Sequence, residues 1–310
     1  MSDKITGIHH ITAIAGNAKR NLDFYTRVLG LRMVKRTVNF DDPGTYHFYY
    51  GNENGTPGTI LTFFPWEGIS NGRTGTGMAT EIGYSVNKDS LPFWADRFRA
   101  LQVSEGVTAE RMGEIYLPFR DPDGLNITLI GSNDADNRQP WSTPDVPAAV
   151  GTKGFHSVTL TLREIGPTAA ILTDVFGYRQ EKQEGNRYRF RTDAIPTASI
   201  VDLVQAPKES RGLNGGGTNH HVAFRVTDEE MQMAYREKIV SRGLHITPKI
   251  NRDYFYSLYF REPGGVLFEL ATDNPGFTVD EPLDQLGTHL KLPAQYESMR
   301  KEIEQSLPAL

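Results

Sequence analysis

One unit of sequence recurs four times along these 310 residues. Each copy opens with a short β-type run, passes through a helical stretch and closes on further β-type runs. In the fourth copy these are "HHVAFRV", "DEEMQMAYREKIVSRG" and "YFYSLYFREPGGVLFELA"; in the second they are "TEIGYSV", "LPFWADRFRAL" and "EIYLPFRDPDGLNITLIG". Phe119-Arg120-Asp121-Pro122-Asp123-Gly124 and Phe260-Arg261-Glu262-Pro263-Gly264-Gly265 match, because Pro followed by Gly marks the same hairpin turn between the same two strands. The first copy runs from "GIHHITAIA" through "NLDFYTRVLG" to "GTILTFFP", and the third from "GFHSVTLTL" through "TAAILTDVFG" to "ASIVDLVQ". Apolar and polar positions alternate in the β-type runs. Leu22, Tyr25, Val28 and Leu29 fall on one helical face, with Gly30 as the stop. The pattern predicts an α+β fold of four βαβββ modules closing into two open barrels. Residues 5–131 hold modules one and two, and residues 152–272 hold modules three and four. The Asp-, Pro- and Asn-rich stretch 132–151 reads as a linker, and 273–310 as a C-terminal tail.

Composition limits the chemistry. The chain has no cysteine, which excludes disulfides, thiolate nucleophiles and Cys-ligated metal, so any metal is held by nitrogen and oxygen. A net charge of −5 with dispersed Lys and Arg gives no footprint for nucleic acid or an anionic membrane. Neither partner is expected. Met1 to Thr12 lacks the apolar run of a signal peptide, and no segment approaches the roughly 20 apolar residues of a bilayer span. A soluble, cytoplasmic protein is expected.

Stacking the four copies isolates a candidate site, since a strand position that faces inward in one copy faces inward in the others. The column at the second His of "HH" reads His10, Glu81, Ser157 and His221. A second column, on the last strand of each module, reads Thr62, Thr128, Asp202 and Glu269. If modules one and four share a barrel, its cup holds His10, His221, Glu269 and Thr62, and the other cup holds Glu81, Thr128, Ser157 and Asp202. Two imidazoles and one carboxylate form the facial triad that suits non-haem Fe(II) oxygenases and leaves positions open. Pairing neighbouring modules instead gives His10 with Glu81 in one cup and Asp202, His221 and Glu269 in the other. The first arrangement is the more familiar chelate.

At these residues the chain resembles the vicinal oxygen chelate superfamily (glyoxalase, bleomycin resistance and extradiol dioxygenase proteins), and within it the ring-cleaving dioxygenases of para-hydroquinones. The resemblance rests on "GIHHIT", "YHFYYGNENGTPGT", "KGFHS", "NHHVAF", "NRDYF" and "PGGVLFE", and it covers nearly the whole chain. It implies a glyoxalase-like two-barrel fold and O2-dependent opening of a small aromatic diol. It also implies Fe(II) on His10, His221 and Glu269; Mn(II) suits the same ligands. Catechol dioxygenases of the superfamily take their ligands from the third and fourth copies, and Ser157 departs from that pattern. Catalytic roles around the metal are implied for His9, His220, Arg252 and Tyr259. Strand alternation sends His9 away from the face that His10 lines, unless a bulge re-aims it. His47, His156, His245 and His289 read as structural.

Two rivals share the scaffold. Glyoxalase-type isomerases use four protein ligands, against which Thr62 argues, and a quinone- or drug-binding resistance module needs no metal. Beyond Thr272, Leu292, Tyr296, Met299, Ile303 and Leu307 recur at helical spacing and predict a C-terminal helix packed on the body. Phe277 is expected at the mouth of the pocket.

Overall fold

The computed structural model describes residues 4–310. Each repeat folds as one strand, one helix and three further strands. The first holds β1 (Ile8–Ala15), α1 (Ala18–Asp23), β2 (Arg32–Asn39), β3 (Asp42–Gly51) and β4 (Ile60–Pro65). The second holds β5 (Met78–Val86), α2 (Leu91–Ala100), β6 (Ala109–Arg111), β7 (Glu114–Arg120) and β8 (Asn126–Gly131). The third holds β9 (Gly154–Leu162), α3 (Gly166–Ala170), β10 (Arg179–Glu184), β11 (Arg187–Arg191) and β12 (Ile200–Gln205). The fourth holds β13 (Thr218–Val226), α4 (Glu229–Ser241), β14 (Ile250–Asn251), β15 (Phe255–Arg261) and β16 (Leu267–Pro275). The Asn17 side chain caps α1 by accepting from the Arg20 amide at 2.8 Å. The helix continues as a wider turn over Phe24–Val28 and stops at Gly30, whose φ of +67° few residues but glycine adopt. Tyr25 and Leu29 of the expected face are buried, and Leu22 and Val28 half-buried.

The strands form two curled eight-stranded sheets, ordered β14-β15-β16-β13-β1-β4-β3-β2 and β10-β11-β12-β9-β5-β8-β7-β6. The first sheet therefore joins the strands of the first and fourth repeats, and the second those of the second and third. In each sheet the opening strands of two repeats pair antiparallel at the centre, β1 with β13 and β5 with β9. Each of these pairs in parallel with the last strand of its own repeat. Matched repeat positions thus meet across the middle of a cup.

All eight residues of β1 are buried, although its sequence IHHITAIA carries three polar side chains before the apolar end. Buried polar groups need partners, so the cup of the first sheet must satisfy them internally. The second cup meets the same demand with guanidinium groups. Arg189, 2% exposed, reaches Asp202 at 2.9 Å and Glu114 at 2.6 Å, and Arg111 reaches Glu81 at 2.6 Å. Of the column residues Glu81, Ser157, Thr128 and Asp202, the two carboxylates are thus held in ion pairs. Arg189→Met is expected to cost about 3–5 kcal/mol, since it removes the buried cation between two carboxylates and leaves, among the described residues, Asp202 only Arg187 and Glu114 only His156 as charged or chargeable partners; the urea midpoint of unfolding measures it.

Residues 132–153 contain no regular element. They are nonetheless packed: Trp94 donates to the Val150 carbonyl at 2.8 Å, and Val146 fills the space beside Gly30. The tail departs from the expected single helix. A 3₁₀ turn over Ala294–Met299 precedes α5 (Arg300–Ser306). Leu292, Ile303 and Leu307 are buried, but Met299 is 43% exposed, because the tighter 3₁₀ turn rotates it off the apolar stripe. Among the described residues no helix is long and apolar enough to cross a membrane.

Candidate metal centre

The pairing of β1 with β13 slips by one residue twice. Between Ile8↔Phe224 and His10↔Ala223 the extra residue is His9, and between Thr12↔His221 and Ala13↔Asn219 it is His220. The same slips occur between β5 and β9, where Thr80 and His156 are the extra residues. A bulge therefore recurs at one position of all four repeats, and both histidine pairs consist of a bulged residue followed by a cup residue. Such a bulge breaks strict alternation and lets adjacent side chains meet. His9 and His10 approach at 3.0 Å between their Nδ1 atoms, and His220 and His221 at 2.8 Å.

These contacts fix the tautomers. The His9 Nε2 lies 3.1 Å from the Thr272 carbonyl oxygen, which only accepts, so His9 carries its hydrogen on Nε2. Burial holds the His9 pKa well below the usual imidazole value, which keeps the ring neutral. Its Nδ1 then accepts, and His10 Nδ1–H donates to it. The lone pair of His10 is left on Nε2, which faces Glu269 Oε2 at 3.2 Å. His221 Nε2 lies 2.9 Å from that same oxygen.

His10, His221 and Glu269 are all buried, and one ligand atom from each lies within 4.8 Å of the others. Among the described residues they are the one group of three or more such side chains. Glu269 Oε1 accepts a hydrogen bond from Ser257 on β15, whereas Glu269 Oε2 and His221 Nε2 are buried without a hydrogen-bond partner. Acceptor atoms turned toward one another in a dry cup are costly unless a cation lies among them. The donor set of two nitrogens and one oxygen fits a divalent transition metal. His9→Phe keeps an aromatic ring in this place but removes the acceptor that orients His10. It is expected to weaken metal binding about 10–100-fold, as losses behind a ligand imidazole commonly do, in competition with a chromogenic chelator.

The cluster opens onto a cavity of about 240 Å³. His220, Arg252 and Tyr259 line it together with His10 and His221; His9 does not. His9 instead lines a separate cavity behind β1, with Tyr254, Phe255 and Phe277. Its place is behind a ligand imidazole, outside the cavity that His220, Arg252 and Tyr259 line. Phe277 is likewise buried, stacked on Tyr254 at 5.1 Å, and does not reach the mouth expected for it.

"NRDYF" places Arg252 by local geometry. The Asn251 side chain accepts from the Asp253 amide at 2.8 Å, Asp253 takes a φ of +63°, and the Arg252 amide donates to the Phe255 carbonyl at 3.0 Å. The resulting turn lays the guanidinium over the rings of Phe40 and Tyr259 at 5.4 and 5.5 Å, beside Asp41. Tyr259 pairs with Glu269 across β15 and β16. Burial and the nearby Glu269 carboxylate raise its pKa, so the hydroxyl keeps its proton and is a hydrogen-bond donor. Burial pushes the His220 pKa down to about 3. With the His221 Nε2 lone pair turned to the cluster, as a ligand requires, His221 Nδ1–H donates to His220, whose own hydrogen then lies on Nε2.

Two further residues around the cluster do not fall in the matched columns of the four repeats. Ser257 lies two positions before Tyr259 on the same strand face, a spacing that flags it once Glu269 is recognised as its neighbour. His47, unlike Ser257, lines the cavity, with its Nε2 3.0 Å from Thr62 Oγ1, so it is not merely structural packing. Its signal was its place in "YHFYYG", two residues before Tyr49 on one face of β3.

Residues 7–129 and 154–270 match the family model of the Glyoxalase/Bleomycin resistance protein/Dioxygenase superfamily. The chain belongs to this superfamily. Among its members, a protein of Bacillus subtilis (strain 168) named "Putative ring-cleaving dioxygenase MhqO" is 44% identical over 307 residues, 99% of this chain and 97% of that protein. The "Chlorohydroquinone/hydroquinone 1,2-dioxygenase" of Sphingobium indicum (strain DSM 16413 / CCM 7287 / MTCC 6362 / UT26 / NBRC 101211 / UT26S) is 34% identical over 311 residues, covering 98% of this chain and 96% of its own. A crystal structure of a "putative dioxygenase" from Bacillus subtilis subsp. subtilis str. 168 superposes with a TM-score of 0.95 at 44% identity, over 100% of this chain and 98% of that one.

Proposed function

We propose that this superfamily member is an Fe(II)-dependent dioxygenase that opens the ring of hydroquinones (para-diols) and places both atoms of O2 in the product. The observation that carries the reading is a buried His10–His221–Glu269 cluster with unpartnered acceptor atoms, opening onto a cavity walled by hydrogen-bond donors. The names of the full-length relatives support it. His10, His221 and Glu269 would hold the iron, and Mn(II) suits the same set. When bound, the ion lowers the pKa of a ligated hydroxyl and supplies the redox link between an electron-rich ring and O2.

The remaining work falls to the chain. A para-diol cannot chelate through both hydroxyls, so its orientation depends on protein groups. Arg252, always charged and held over Tyr259, stabilises negative charge that develops on oxygen. The Tyr259 hydroxyl and the His220 Nε2–H present further donors at the cavity wall. Phe40, Phe64 and Trp66 give the ring apolar faces to lie against and exclude water. Thr62, at the position where a four-ligand isomerase places a ligand, is hydrogen-bonded to His47 and Thr12 instead. This disfavours a glyoxalase-type isomerase.

Oxygen uptake by protein reconstituted anaerobically with Fe(II), given hydroquinone, methylhydroquinone, chlorinated hydroquinones or catechol, tests the reading. The expected outcome is stoichiometric uptake with para-diols and incorporation of two ¹⁸O atoms per product. Uptake with catechol alone, or none while metal is bound, contradicts it.

A further inference from the structure

Four uncharged side chains beside the ligand cluster form a second buried array. On adjacent strands Tyr49 is partnered with Thr62, and Thr62 with Thr12. The Tyr49 hydroxyl lies 2.9 Å from His47 Nδ1, His47 Nε2 lies 3.0 Å from Thr62 Oγ1, and Thr62 Oγ1 lies 2.8 Å from Thr12 Oγ1. Thr12, His47 and Tyr49 line the cavity, and all four residues are buried.

The array has a direction. Burial holds His47 neutral and keeps the Tyr49 hydroxyl protonated. A neutral imidazole donates at one nitrogen and accepts at the other. Among the described residues, the hydrogen bond recorded for the Tyr49 hydroxyl is the one to His47. A buried phenol that did not donate there would leave its hydrogen unsatisfied, so Tyr49 donates to His47 Nδ1. His47 Nε2–H then donates to Thr62, the Thr62 hydroxyl donates to Thr12, and the Thr12 hydrogen is left for the cavity. Each bond polarises the next in the same sense.

We infer that Tyr49, His47 and Thr62 are positioning residues that lock Thr12 as a hydrogen-bond donor, giving the cavity a subsite for an anionic oxygen of the bound para-diol. This rests on the proposed hydroquinone reading. Thr12 lies two residues beyond His10 on β1, so the subsite adjoins the metal cluster. It accounts for the threonine in the column where the fourth repeat carries Glu269: a carboxylate at position 62 would accept from His47 and turn no donor toward Thr12.

Anaerobic titration of hydroquinone into Fe(II)-loaded wild type, Thr12→Val, Thr62→Val, Thr62→Ser and the double valine variant tests the inference, with metal content measured in each. Thr12→Val is expected to weaken binding about tenfold, the size of one hydrogen bond to a charged oxygen. Thr62→Val is expected to weaken binding in the same direction with metal content unchanged, and Thr62→Ser to restore it. The double variant should lose no more than Thr12→Val alone, because both changes break one chain. Wild-type affinity in Thr62→Val, or losses that multiply in the double variant, overturns the inference. Should Thr62→Val fail to fold, Tyr49→Phe stands in for it in the same cycle with the same criteria. Wild type that binds hydroquinone while its variants are unchanged sinks this inference alone; wild type that binds none sinks the functional reading with it.

Discussion

His221→Ala is expected to purify without a bound divalent cation and to consume no oxygen with hydroquinone. The substitution removes one of two imidazole ligands and leaves His10 and Glu269, a pair too few to hold a first-row ion in competition with water. It also frees the His220 ring, whose Nδ1 lies 2.8 Å from His221, so the cavity loses an oriented donor along with the metal. Elemental analysis of freshly purified protein, beside an oxygen electrode, measures both losses. A histidine that only packed the cup would show a different result: lower thermal stability, with normal metal content and turnover. Near-wild-type oxygen uptake in this variant would remove the cluster from the chemistry.

Arg252→Met should separate positioning from metal binding. The guanidinium contributes no ligand atom, so metal content is expected to stay at the wild-type level. Held over Tyr259 and Phe40, Arg252 is the one Arg or Lys among the described residues that line the cavity, placed to meet negative charge on a bound oxygen in the proposed reaction. Loss of one preorganised donor of this kind commonly costs about 10²–10³ in turnover, and that fall in kcat is the expected outcome. The turn over Asn251–Phe255 is held by the Asn251 side chain and the Arg252 backbone amide, which methionine leaves in place, so its collapse is not the cause. Steady-state oxygen uptake at saturating hydroquinone, compared with metal content, gives the ratio. A change in KM alone, with kcat retained, would reduce Arg252 to a binding group.

Much of the fold was legible because the chain states it four times. The Pro-Gly hairpin of the second and fourth repeats aligns their last strands, and alignment carries Glu269 onto the column of Thr62, Thr128 and Asp202. Residues that belong to the repeat could therefore be placed; residues that belong to one repeat could not. Ser257 and His47 act through neighbours on adjacent strands, and cross-strand register is invisible in a single β-type run. The histidine pairs show the limit most clearly. Period-two alternation sends His9 to the far face, and that is where its cavity lies; only the bulge brings its Nδ1 back to His10. A bulge leaves no signature in composition, but its recurrence at Thr80, His156 and His220 is a property of the repeat that four aligned copies can expose. The tail had no copy to compare, and there the helical spacing of its apolar residues overstated the regularity of the backbone.

Anomalous diffraction from crystals of the Fe(II)-loaded protein, collected at the iron edge, bears most directly on the idea that two distant repeats share one ion. A single peak roughly 2.0–2.2 Å from His10 Nε2, His221 Nε2 and Glu269 Oε2, the usual range for nitrogen and oxygen ligands of such ions, is the predicted result. A peak in the cup of Arg189 and Asp202, or none at these three atoms, would contradict it.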